Sequence, residues 1–139
     1  MDNYELLLKD VKEILETIPE VNFVSFGKLP NIDTEDKFTA VYIQPEIDEF
    51  ELVRQGNGIS SYNNTFLVKL VIHMDCSLDD LQWVTTRRLI IDAILDDEAI
   101  WHNIVDRDIM SIAHDNFENH PLKTMAMLFS FKLNEQCVI

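Results

Sequence analysis

At 139 residues, with 47% hydrophobic and 26% charged residues, the chain has the size of one domain and the composition of a folded globular protein, not of a disordered one. Its 25 Asp and Glu against 11 Lys and Arg give a formal charge of −14, the reverse of the balance that neutralises phosphates, which argues against direct DNA or RNA binding. The start Met1-Asp2-Asn3-Tyr4-Glu5 lacks the basic and apolar regions of a signal peptide, and no apolar run approaches the roughly 20 residues that cross a bilayer. The expectation is a single cytoplasmic domain spanning 1–139, without a membrane partner.

The first element reads as a helix from about Asn3 to Ile18. Leu7, Val11, Ile14, Leu15 and Ile18 recur at three- and four-residue spacing, while Lys9, Asp10, Lys12, Glu13 and Glu16 take the other face. Pro19 ends it, because proline lacks an N–H and disfavours helix at the residue before it. A short strand follows around Asn22–Gly27, then the turn-rich Lys28-Leu29-Pro30-Asn31 and a polar loop.

Phe38–Gln44 reads as a second strand, stopped by Pro45. Beyond it, Glu46–Val53 alternates acidic and apolar residues, and Gly56-Asn57-Gly58 has the chemistry of a tight hairpin turn. This segment is expected to carry strand two outward as a projecting arm that returns as strand three. A domain this small cannot bury all of Ile47, Phe50 and Leu52, so they form a candidate subunit interface with Arg54 and Tyr62.

In the run Thr65–Asp75, Phe66, Val68, Leu70, Ile72 and Met74 share one apolar face, and Leu67, Lys69, Val71, His73 and Asp75 share a mixed one. That pattern predicts a sheet covered by helices on a single side. Ser77-Leu78-Asp79-Asp80 supplies an N-cap and acidic residues suited to a helix dipole. The helix it opens is predicted over Leu78–Leu95, with Leu81, Val84, Ile91, Ile94 and Leu95 as its buried stripe. Ile104–Ala113 reads as a fourth strand in which Ile109 and Ser111 alternate against Met110 and Ile112, and Thr124–Leu133 as the last. The order predicts an α+β fold: a mostly antiparallel sheet, two main helices on one face and a projecting β-hairpin arm.

No catalytic or cofactor motif stands out. His102, Asp106 and Asp108 could be gathered into a metal site, but HExxH and HxH are absent and such groupings arise easily in an acidic chain. Asp96-Asp97-Glu98 reads as a solvated helix end. Cys76 and Cys137 lack CxxC spacing and read as packed, reduced thiols. The Met125/Met127/Phe129/Phe131 stripe could line a ligand pocket, but at strand spacing it reads as core. Trp83 and Trp101 read either as interface anchors or as parts of the core. The expectation is no enzyme, no cofactor and no bound metal.

The order of elements resembles that of the bacteriophage tail-terminator (tail-completion, or minor tail) proteins. The matching parts are the helix Tyr4–Ile18 and a first strand, the arm within Phe38–Tyr62 returning as Phe66–Met74, the helix opened by Ser77, and a final hairpin ending in Leu122–Leu133. The resemblance covers nearly the whole chain and carries no catalytic residues. It implies a homo-oligomeric ring, typically a hexamer, that caps the tail tube and docks to the head connector protein. DNA would pass through its lumen without specific binding, and the chain would reside at the head–tail junction of the virion after assembly in the host cytoplasm. The alternatives are a head–tail connector or neck protein and, from another class, a small enzyme or ligand-binding domain built on the His102–Asp108 region or the methionine stripe.

Overall fold

The computed structural model describes residues 3–27, 39–56, 58–75, 80–96, 101, 104, 106–115 and 122–138. They form α1 (Asn3–Glu16), β1 (Phe23–Phe26), β2 (Thr39–Gly56), β3 (Ile59–Asp75), α2 (Asp80–Leu95), β4 (Asp106–Asp115) and β5 (Leu122–Val138). The five strands make one sheet in the order β1-β2-β3-β5-β4. All pairings are antiparallel except that of β1 with β2, which is parallel and therefore requires a crossover rather than a hairpin between them. The α+β architecture expected from the sequence is present.

Register places the apolar side chains of the central strands on one face. Val41 lies opposite Ile72 and Ile43 opposite Leu70, and on the far side of β3 Met125, Met127, Phe129 and Phe131 pair with Ile72, Leu70, Val68 and Phe66. All of these are buried, and they form one core with Leu7, Val11 and Leu15 of α1 and Trp83, Ile90 and Ile94 of α2. Both helices therefore cover the same face. α1 lies over β1 and β2, and α2 lies against α1 and β4. Tyr4 anchors the start of α1, stacking on Phe66 at 4.4 Å between ring centroids and donating its hydroxyl to the Leu67 carbonyl at 3.1 Å. At the other end, Thr17 and Ile18 donate their amides to the carbonyls of Ile14 and Leu15, closing the last turn before Pro19.

Two assignments of helix faces differ from the sequence reading. In α1, Asp10 is buried although the pattern put it on the polar side. In α2 the buried line is Trp83, Thr86, Ile90 and Ile94, joined by Ile91, whereas Leu81 is 74% and Val84 49% exposed. The helix is turned about its axis from the phase that Leu81 and Val84 implied.

The strands carry two further surprises. Pro45 does not interrupt β2, which runs on through it with a register shift between Pro45 and Ile47. A proline is tolerated there because β1 ends opposite Ile43, so that beyond this point β2 has no further described neighbour on that edge. In β4 a bulge between Ile109 and Ser111 breaks the predicted alternation. It sets Ile109 and Ile112 against the core and leaves Met110 exposed. The N-cap residue Ser77, with Leu78 and Asp79, and the acidic pair Asp97-Glu98 lie outside the described residues, as do Cys76, His102 and His120.

Candidate assembly surface

The sheet's long strands outrun its helices, and that excess is the arm. β2 and β3 stay paired from Thr39↔Met74 out to Gly56↔Ile59. The hairpin closes through Gly58 at φ +74°, a left-handed conformation that glycine adopts without a Cβ clash. The arm is not a two-stranded hairpin, however. β5 runs past Leu133 to Val138 and pairs Asn134–Val138 with Ile59–Asn63, adding a third strand where the sequence reading ended at Leu133. Three strands hold such a projection in shape far better than an isolated hairpin.

Of the five candidate interface residues, Leu52 is 51% exposed and lies opposite the half-buried Tyr62. Ile47, Phe50 and Arg54 are placed by backbone register, opposite Leu67, Asn64 and Ser61. Glu46, Glu49 and Glu51 are exposed on the same stretch. By register Leu52 shares the face of β2 that pairs with Phe66 and Asn64, whereas Glu49 and Glu51 lie on the opposite face.

The other residues weighed in the sequence have structural roles. Met125 and Met127 are fully buried and Phe129 and Phe131 are 1% exposed, so the stripe is core. Trp83 packs in the core and donates its indole N–H to Nδ1 of His114 at 3.1 Å, tying α2 to β4. Trp101 lies against Phe131 and under the Arg107 guanidinium, which also donates to the Asp96 carbonyl just past the end of α2. Asp106 and Asp108 are exposed, and each accepts the amide of the next residue at 2.9 and 2.8 Å. Among the described residues, no three His, Cys, Asp or Glu side chains are grouped to hold a metal. No described helix is long and apolar enough to cross a membrane.

The face of the sheet away from the helices holds a small polar-aromatic row across four strands. Phe23 contacts Tyr42 at 6.1 Å, Tyr42 meets the edge of His73 at 5.6 Å, and His73 Nδ1 lies 3.2 Å from the Thr124 hydroxyl. Burial of Tyr42 raises its phenol above the ordinary value of 10.0.

Sequence reasoning missed one surface. Leu81 and Val84 lie on the outward side of α2 beside Arg88, whose guanidinium bridges to Asp92 at 3.0 Å while remaining 68% exposed. The signal that could have found it is the competing line Trp83-Thr86-Ile90-Ile94, which has helical spacing and carries the larger side chains.

No protein-family model and no curated protein matches the sequence. Among solved structures, a chain described as the virion of native gene transfer agent (GTA) particle is similar at 10% identity and a TM-score of 0.48. The alignment covers 96% of this chain and 92% of that one.

Proposed function

We propose that this chain is a structural assembly protein of a phage-type virion, forming a ring that ends the tail tube and joins it to the head connector. The carrying observation is the arm: a three-stranded extension of β2, β3 and β5 that exposes Leu52 on one face and Glu49 and Glu51 on the other. An exposed aliphatic such as Leu52 on an ordered extension gains by being covered, and a neighbouring copy can cover it. Set against such a copy, the arm becomes an interface, either through its side chains or by adding a strand to the neighbour's sheet. When one patch joins a different patch on the next copy, a rotation that closes gives a ring. The order of elements on which the resemblance to tail terminators rests is also the order in the fold. An acidic wall would let DNA pass without adhering.

The test is the mass of the native assembly, with images of its shape. A closed ring is expected for the wild-type chain. Phe50→Asp with Leu52→Asp is expected to lower assembly while circular dichroism reports an unchanged fold. A chain that stays monomeric at high concentration and captures no tail protein would count decisively against the reading. Unfolding by the paired substitution would show instead that the arm belongs to the core.

A further inference from the structure

Building on the ring reading above, we infer that the arms of neighbouring copies join edge to edge, β2 of one pairing in parallel with β5 of the next. The two strands that meet are identified by where the arm's backbone groups point.

That direction is set at the base of β2. Thr39 donates its amide to the Asn22 side chain and accepts the Asn22 amide, and Ile43 accepts the amide of Gly27. Thr39 and Ile43 therefore turn their backbone groups toward β1, and the residues that alternate with them, Ala40, Tyr42 and Gln44, turn toward β3. Their partners His73, Val71 and Lys69 point back at β2, and β3 continues against β5 without a register shift. Leu67, Thr65 and Asn63 accordingly point at β2 as well, where they face Ile47, Glu49 and Glu51. Asp48, Phe50 and Leu52 are left with N–H and C=O directed outward, past the end of β1. By the same alternation Phe66, Asn64 and Tyr62 engage Phe131, Leu133 and Glu135 of β5. Asn134, Gln136 and Val138 then direct their backbone to the far side, beyond Lys132, where the pairing with β4 stops.

Among the described residues the arm thus has two open edges, one on each side of β3. They match in extent: β2 is regular over 47–52, between its two register shifts, and β5 extends past β4 over 133–138. Open edges of this kind are templates for another strand. Charge and direction select the strand. β2 set against its own copy would bring Glu46, Asp48, Glu49 and Glu51 against the same four residues, and like charges across a strand pair destabilise it. The segment 134–138 holds one carboxylate, Glu135, and so opposes the acidic strand far less. β2 and β5 both run antiparallel to β3 and are therefore parallel to each other. Rotation about an axis along the strands preserves that direction, so β2 of one copy meets β5 of the next as a parallel ladder. Repeated around a ring, the pairing leaves no edge open.

Amide hydrogen exchange, read residue by residue on the full-length chain, tests this. At a concentration too low for assembly, the amides of Asp48, Phe50, Leu52, Asn134 and Gln136 are expected to exchange freely, while those of Glu49, Glu51 and Glu135 are protected by β3. In the ring the first set should slow about tenfold or more and the second should change little. Phe50→Pro and Gln136→Pro each remove an outward N–H without removing a bond to β3. Each should raise the concentration for half assembly about tenfold or more, with an unchanged circular dichroism spectrum at low concentration. If the β2 amides are already slow in the lone chain, the edge is covered from within and the pairing is wrong. If they stay fast in a ring, or both proline variants assemble like the wild type, the copies meet elsewhere and only the ring reading stands. A closed dimer in which Asn134 and Gln136 alone slow means that β5 pairs with its own copy, which overturns both readings. A wild-type chain that never assembles removes the ring reading and this pairing with it.

Discussion

At the scale of single residues, the structure shows how a polar atom is admitted to a packed sheet. Tyr42 is 3% exposed on the face away from the helices, between Phe23 and His73. Burial penalises the phenolate and lifts the phenol above 10.0. The sign of the consequence follows from proton counting. Between the unfolded and the raised folded value the native state holds more protons than the unfolded one, so stability falls as pH rises through that window. Full stability from this group is present below about pH 10 and declines above it. Tyr42→Phe should therefore unfold less steeply with alkali than the wild type in denaturant titrations between about pH 9 and 11. Parallel curves for the two proteins would show that the phenol is not the group responsible. Gly58 makes the opposite kind of demand. With φ at +74° it has open space where a Cβ would lie, so a substitution there strains the backbone without a steric clash. Gly58→Val should cost roughly 1–2 kcal/mol in chemical denaturation, through the left-handed backbone alone.

At the scale of elements, periodicity located the two helices and the body of each strand among the described residues, and its failures have physical causes. α1 and β3 were legible because their apolar residues fall on one face with few competitors, such as Leu7-Val11-Leu15 and Phe66-Val68-Leu70-Ile72-Met74. α2 was legible as a helix and in the C-terminal part of its stripe, where Ile91, Ile94 and Leu95 meet the core, but not at Leu81 and Val84. Leu81 and Val84 offer one apolar line and Trp83, Ile90 and Ile94 another, and only tertiary packing chooses between them. A difference measurement checks that choice. Trp83→Ala should cost about 3–5 kcal/mol by opening a cavity, whereas Leu81→Ala should stay within about 0.5 kcal/mol. Comparable losses at both sites would mean that the helix is turned the other way. The bulge at Met110 was invisible for a related reason, since one inserted residue shifts the alternation without changing composition. The third strand of the arm was missed because Asn134–Val138 has no apolar alternation to announce it; its order comes from backbone pairing with Ile59–Asn63. Ending the chain after Leu133 should thus preserve the helix-covered core, lower the melting temperature only slightly and abolish ring formation. A collapse of the fold in that truncation would show that the strand is needed for more than the arm. The exposure of Leu52 was legible in the alternating sequence, while the exposed side of α2 was hidden by the same ambiguity of phase.

At the scale of the whole molecule, charge and topology act in different directions. A single, mostly antiparallel sheet covered by two helices gathers its buried side chains into one core, which favours a cooperative domain. The 25 acidic residues against 11 basic ones oppose that compaction, because folding brings like charges closer than they lie in the open chain. The Arg88–Asp92 bridge does little to relieve the repulsion, being exposed and of the kind worth only a fraction of a kcal/mol. The relief available is screening. At about 0.01 M salt the Debye length is roughly 30 Å, comparable with the width of the domain, and at about 0.5 M it is only a few ångströms. The melting temperature, measured with NaCl at a protein concentration too low for assembly, should therefore rise across that range. A gain of about 1 kcal/mol would appear as roughly 3 °C in a chain of this length. NaCl is the suitable salt, since sulfate would add a separate exclusion effect on apolar burial. A melting temperature that falls with salt would mean that attractive ion pairs outweigh the net charge. The acidic surface would then have to be read as a network that holds the fold together, not as a field the fold withstands.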